Sequence, residues 1–153
     1  MTAQTLLAMA GASQPTINLA SATLILIDYQ NEYRSGPLQL VNIEPTITNA
    51  ARLLAAARAA GTRVIHIAHQ GSPGSTFDRS APRGQIIDEL APIEGELVIE
   101  KPRPNAFSGT NLAEEVGEVD QPLIVTGCMT HMCLSSTVRA GLDLGYRSIV
   151  PGD

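Results

Sequence analysis

The chain has no tryptophan, and only three tyrosines and two phenylalanines among its 153 residues. Its core must therefore be built from Ala, Ile, Leu and Val, and a hydrophobic share of 44 % is enough for one. Only two cysteines are present, Cys128 and Cys133, which excludes a disulfide-rich scaffold. Ten basic residues stand against fifteen acidic ones, giving a net charge of −5, and the basic residues form no stripe. No nucleic-acid partner is expected, because neutralising phosphates takes clustered cations, and a polybasic membrane anchor is excluded on the same ground. No apolar run approaches the roughly 20 residues that span a bilayer, so no membrane partner is expected. The apolar stretch in "MTAQTLLAMAGASQ" has no cationic region before it, so no secretory signal is expected either. These absences point to a soluble protein in a reducing cytoplasm, with a single domain over residues 1–153 and a loose leader over residues 1–20.

What is present alternates between two periodicities. "TLILID" (23–28), "RVIHIA" (63–68), "ELVIEK" (96–101), "PLIVTG" (122–127) and "RSIV" (147–150) are short branched-apolar runs, the pattern of strands buried on both faces. Between them, "EPTITNAARLLAAARAAG" (44–61) carries helical spacing at Ile47, Ala50, Ala51, Leu54 and Ala57. Pro45 sits early in this helix and Gly61 at its stop. Residues 111–119 read as a weak helix and 133–145 as a stronger one ending at Gly145. Residues 70–95 are a long Gly/Pro/Ser-rich connection with a short helix near 86–90, and long connections in small domains are often functional. The fold class is α/β: a three-layer α/β/α sandwich with a mostly parallel, doubly wound, Rossmann-like sheet. Such a sheet would continue beyond "SIVPGD", so the C-terminal part is expected to be truncated or its edge covered by another subunit.

Ligands of open parallel sheets bind beyond the carboxyl ends of the strands. Asp28 ends the first strand, His69 follows the second, Lys101 ends the third, and Cys133 lies a short turn after the fourth. At the start of a helix, Cys133 would meet unpaired N–H groups and a partial positive charge, both of which favour thiolate. Asp28 could then serve as general base and acid, with Lys101 orienting it. Each residue also has an ordinary reading: Cys133 and Cys128 as core filling, Asp28 as a cap, Lys101 as a solvated charge. The argument rests on their convergence at one edge. His66 is expected to be a hydrogen-bonded core histidine, while the role of His69 stays open. "HIAH" places His66 and His69 on opposite faces of a strand, and there is no HExxH or paired CxxC, so no metal or other cofactor is expected.

Three blocks, "LILIDYQNEY", "VIEKPRPNAFSGTNL" and "VTGCMTHMCLSSTVRAGLDLGY", occur in order and resemble the isochorismatase-like cysteine hydrolases over residues 22–152. The resemblance implies an Asp28–Lys101–Cys133 triad and an oxyanion hole from the backbone N–H groups of Met129 and Cys133. It also implies a cis peptide at Cys128–Met129, a polar pocket residue at Gln30 and an aromatic wall at Phe107. His131 could line the same pocket. It further implies a small-molecule substrate and a homo-oligomer. Ile67 stands where the nicotinamidase branch begins its metal-binding pair, which disfavours that activity. Cys133 is present where the vinyl-ether-cleaving branch lacks a nucleophile.

The leading expectation is a hydrolase of a small amide or carbamoyl C–N bond through a thioester. Two alternatives remain: a vinyl-ether hydrolase with Cys133 idle, and a non-catalytic binding or assembly module on the same fold.

Overall fold

Two apolar layers, one on each face of a central sheet, follow directly from the alternation of side chains along the strands. A computed structural model describes residues 6–11 and 16–152. The strands are β1 (Thr23–Ile27), β2 (Arg63–His69), β3 (Leu97–Lys101), β4 (Leu123–Gly127) and β5 (Ser148–Ile149). The helices are α1 (Leu6–Met9), α2 (Glu32–Ser35), α3 (Ile43–Ala59), α4 (Leu112–Val116) and α5 (Ser135–Asp143). The sheet order is β3-β2-β1-β4-β5, and every pair is parallel. Leu24 and Leu26 of β1 face Ile43, Ile47, Ala50, Leu54 and Ala57 of α3. Ile25 and Ile27 face the other way, joining Ile65, Ile67 and Ile99 with Leu112 and Val116 of α4. The doubly wound sandwich expected from the sequence is therefore the observed one.

Several boundaries differ from the sequence expectation. The helix expected over 111–119 is only Leu112–Val116, because Gly117 turns the chain away at φ 73°. The helix expected from residue 133 starts at Ser135; before it, Thr130–Leu134 form a wider turn, entered through Met129 in the left-handed region. The helix near 86–90 is a single turn, Asp88–Leu90. The leader is loose only in part: Ile17 and Leu19 pack on the α3-side core, and Thr62 Oγ1 donates to the Leu19 carbonyl at 2.8 Å. Residues 1–5 and 12–15 of that expected leader lie outside the described residues.

His66 is the core histidine expected. It is buried, with Nε2 2.9 Å from Glu96 Oε2, and Arg58 grips the same carboxylate through two contacts of 2.8 Å. Burial opposes ionisation of Glu96, yet Arg58, the Ile93 N–H and His66 together bring its pKa down to about 2.

The sheet order reverses direction between β1 and β4, which makes their carboxyl ends the switch point of the fold. The strands approach closely there. A Cβ on Gly127 would lie 2.5 Å from the Ile27 carbonyl oxygen and 2.6 Å from its Cβ. Cys128 N–H donates to that same carbonyl at 3.0 Å, tying the turn after β4 to the end of β1. Gly127→Ala should therefore wedge β1 from β4 and destabilise the protein by about 1–3 kcal/mol in urea denaturation.

Candidate active site

Asp28 is the residue after β1, at a point where the chain must leave the sheet. Its N–H still donates to Ile67 O at 2.8 Å, but its φ is 57°, in the left-handed region. Aspartate tolerates that region better than most residues, at a cost of about 1–2 kcal/mol. Such strain clusters at functional sites. Its carboxylate is fully buried, and Lys101 Nζ from the end of β3 approaches Oδ2 at 2.9 Å. No well-formed hydrogen bond reaches Oδ1 or Oδ2 among the described residues.

Lys101 is also fully buried and is the only lysine in the sequence. Its ammonium has three N–H bonds and three neighbours. Besides Asp28, it donates to Cys133 Sγ at 3.3 Å and meets His69 Nδ1 at 3.3 Å. The carboxylate, ammonium and thiol expected from the sequence are therefore gathered around one nitrogen. That the other nine cationic residues are all arginines was a signal for Lys101 available in the sequence. Arginine cannot give up its proton, whereas lysine is a compact point charge suited to a small cleft.

The thiol departs from the expected state. A thiolate favoured by the helix start was anticipated; instead burial pushes the Cys133 pKa up to about 11, the Asp28 charge adds to the rise, and Lys101 only partly offsets both. Cys133 is 5 % exposed, and its position in the turn ahead of α5 takes it out of the helix's first residues. These surroundings favour the thiol over the thiolate. Thr137 holds this turn in place, with Oγ1 donating to the Cys133 carbonyl at 2.7 Å and accepting from Ala106 N–H at 3.0 Å. Nothing in the local sequence signals that role.

Gln30 is buried with its amide committed: Nε2 donates to His69 O at 3.0 Å and Gly84 O at 2.7 Å, while Oε1 accepts from His69 N–H at 2.8 Å. It staples the end of β2 to the 70–95 connection. Phe107 stacks on Tyr146, with centroids 5.6 Å apart and planes at 10°, and lies against Gly141 of α5. His131 is exposed and lines a cavity of about 730 Å³ with Cys128, Met129, Val138 and Arg139, to which Asp28, Lys101 and Cys133 do not contribute. The Cys128–Met129 peptide, expected to be cis, is trans. The turn is entered through Met129 at φ 50°, ψ 67°, in the left-handed region.

An acid, an ammonium and a thiol are packed together beyond the carboxyl ends of the strands of a doubly wound parallel sheet, in an α/β/α fold. The chain belongs to the isochorismatase family: the Isochorismatase domain matches over residues 22–153. It is similar to the secreted isochorismatase effector Isc1 of Verticillium dahliae, at 37 % identity over 95 % of this chain and 77 % of that protein. It is also similar to the ureidoacrylate amidohydrolase RutB of Serratia proteamaculans, at 32 % identity over 85 % of this chain and 67 % of that one. The crystal structure of an isochorismatase from Pseudomonas putida KT2440 superposes with a TM-score of 0.88 at 45 % identity, covering 97 % of this chain and 77 % of that one. Family members are thus hydrolases, amidohydrolases among them.

The thiol environment makes a prediction with two opposite signs. Ultraviolet titration of the Cys133 thiolate should show a midpoint near 11 in the wild type. Asp28→Asn should move the midpoint down, and Lys101→Met should move it up. Lys101→Met should also cost about 3–5 kcal/mol in stability by leaving a buried carboxylate unpaired.

Proposed function

We propose that the protein is a cysteine hydrolase cleaving an amide or carbamoyl C–N bond of a small molecule. The observation that carries the reading is that Lys101 Nζ contacts both the Asp28 carboxylate and the Cys133 sulfur, at 2.9 and 3.3 Å. This arrangement suits a thiol that is neutral at rest and loses its proton as it attacks.

Asp28 takes the Cys133 proton while the sulfur adds to the substrate carbonyl carbon. Lys101 offsets the negative charge that then lies on sulfur or carboxylate, so the proton can move without isolating a buried charge. The carbonyl oxygen becomes an oxyanion held by the backbone N–H groups of Met129 and Cys133. When the tetrahedral intermediate collapses, the C–N bond breaks and Asp28 returns the proton to the departing amine. A water gives a proton to Asp28 as it attacks the thioester carbonyl. The C–S bond breaks, the carboxylic acid leaves, and the proton returns to sulfur. The net reaction consumes one water and leaves the enzyme unchanged.

A second reading is supported by the names of two of the similar proteins, both isochorismatases. In it, Asp28 protonates a vinyl ether and Cys133 takes no part. The two readings separate on one species. An amide substrate should leave an acyl adduct on Cys133, visible by intact mass after rapid acid quench; a vinyl-ether hydrolase forms none. On a panel of small amides with ammonia detection, Cys133→Ala and Asp28→Asn should each lower kcat by at least about a thousandfold, roughly 4 kcal/mol of barrier, with the fold retained. Near-normal turnover in either variant would falsify the mechanism.

A further inference from the structure

His69 is held more firmly than the end of a strand requires, and the mechanism above leaves it unused. Its backbone N–H and carbonyl are both bound by the Gln30 side chain, at 2.8 and 3.0 Å. Its ring meets Phe77 edge-on, with centroids 5.3 Å apart at 75°. Phe77 itself sits at φ 60°, a conformation that costs a non-glycine residue stability, so the 70–95 connection carries strain at the residue that steadies this imidazole. The third hold is chemical. Lys101 Nζ lies 2.9 Å from Asp28 Oδ2, donates to Cys133 Sγ at 3.3 Å and meets His69 Nδ1 at 3.3 Å. An ammonium has only protons to offer, so Nδ1 must present a lone pair. The ring is then neutral and its proton lies on Nε2. Nε2 has no hydrogen-bond partner among the described residues, and the ring is only half-buried.

We infer that His69 is a further residue of this site: Nδ1 positions Lys101, and the Nε2–H donates a hydrogen bond to an acceptor oxygen of the substrate. The substrate class narrows accordingly to amides bearing a second carbonyl, carbamoyl or carboxylate oxygen close to the scissile bond. This inference rests on the amide-hydrolase reading for its substrate half; the Lys101–His69 half stands on geometry. The groups acting on the ring agree with it. Burial lowers the His69 pKa, the Lys101 charge lowers it further, and Asp28 alone opposes them. Cys133 brings a neutral thiol, while Phe77 and Gln30 bring no charge. A protonated ring would set one cation against another and forfeit the acceptor for Lys101.

The test combines spectroscopy with kinetics. Nitrogen NMR of histidine-labelled wild-type protein should show the Nε2–H tautomer at His69 at neutral pH, with a titration midpoint below the ordinary histidine value of about 6.5. His69→Asn keeps an acceptor near Nδ1 but lacks the distal donor; its KM should rise about five- to tenfold, the worth of one hydrogen bond, with kcat nearly unchanged. His69→Gln keeps a distal donor but loses the proximal acceptor; its kcat should fall about tenfold while KM stays near the wild-type value. The acid limb of kcat/KM set by His69 should be missing in both. An Nδ1–H tautomer, or a His69→Ala variant with unchanged kcat and KM, would overturn the inference. If no amide is turned over by the wild type, the reading of the preceding section fails and the tautomer alone decides the role of His69 toward Lys101.

Discussion

A buried ammonium is among the least tolerable groups in a protein interior, and Lys101 is fully buried. Burying it uncompensated is costly, so opposite charge and acceptors must replace the lost water. Asp28 supplies the charge, and Cys133 and His69 supply the remaining acceptors. The requirement is mutual, because the Asp28 carboxylate is equally buried and has no well-formed hydrogen bond of its own among the described residues. Removing either ion leaves the other as an isolated charge in a low-dielectric pocket. The same pair makes the site usable. A proton leaving sulfur for Asp28 moves within a group of atoms that already surrounds a cation, so the transfer changes the local field little.

The scaffold delivers these groups from separate strand ends. Asp28 follows β1, β2 carries His69, β3 carries Lys101, and the turn after β4 carries Cys133. Four non-glycine residues among those described have positive φ: Asp28, Asn42, Phe77 and Met129. Three of them adjoin the site, at the end of β1, against the His69 ring and at the entrance to the Cys133 turn. Regular elements bring the residues to within reach, and locally unfavourable backbone completes the approach. The favourable energy comes from elsewhere, from the branched-apolar layers on both faces of the sheet that hold the strand ends rigid.

The state of the sulfur follows from this packing. Burial and the nearby Asp28 carboxylate push the Cys133 pKa up, and Lys101 only partly offsets them. A resting thiol is less exposed to oxidation and stray alkylation than a thiolate. Activation is then tied to a substrate carbonyl arriving to receive the electrons. The neighbouring Cys128, buried and pushed up to about 12 mainly by burial, has the raised pKa without the ammonium partner. It behaves as the core residue that its place in the α3-side cluster indicates.

Much of this molecule was legible in its amino-acid order. The parallel sheet could be read from five unpatterned branched-apolar runs, because a strand covered on both faces has no polar side to show. Asp28, Lys101 and Cys133 could be read because each ends or closely follows such a run, and strand ends on one edge of a parallel sheet must converge. The rest depended on angles and distances that no spacing encodes. The resemblance implies a pocket role for Gln30, but the bonds of its amide to the backbone of His69 and Gly84 exist only once residues 30, 69 and 84 meet. The resemblance implies an aromatic wall at Phe107, but its stacking on Tyr146 could not be read from spacing. The raised pKa of the Cys133 thiol and the meeting of His69 with Lys101 depend on which groups end up beside them, at 3.3 Å from Lys101 Nζ in both cases. Sequence periodicity determines which way a side chain faces; only the folded chain determines what it meets there, because Coulomb and hydrogen-bond energies depend on distances that neighbouring elements set.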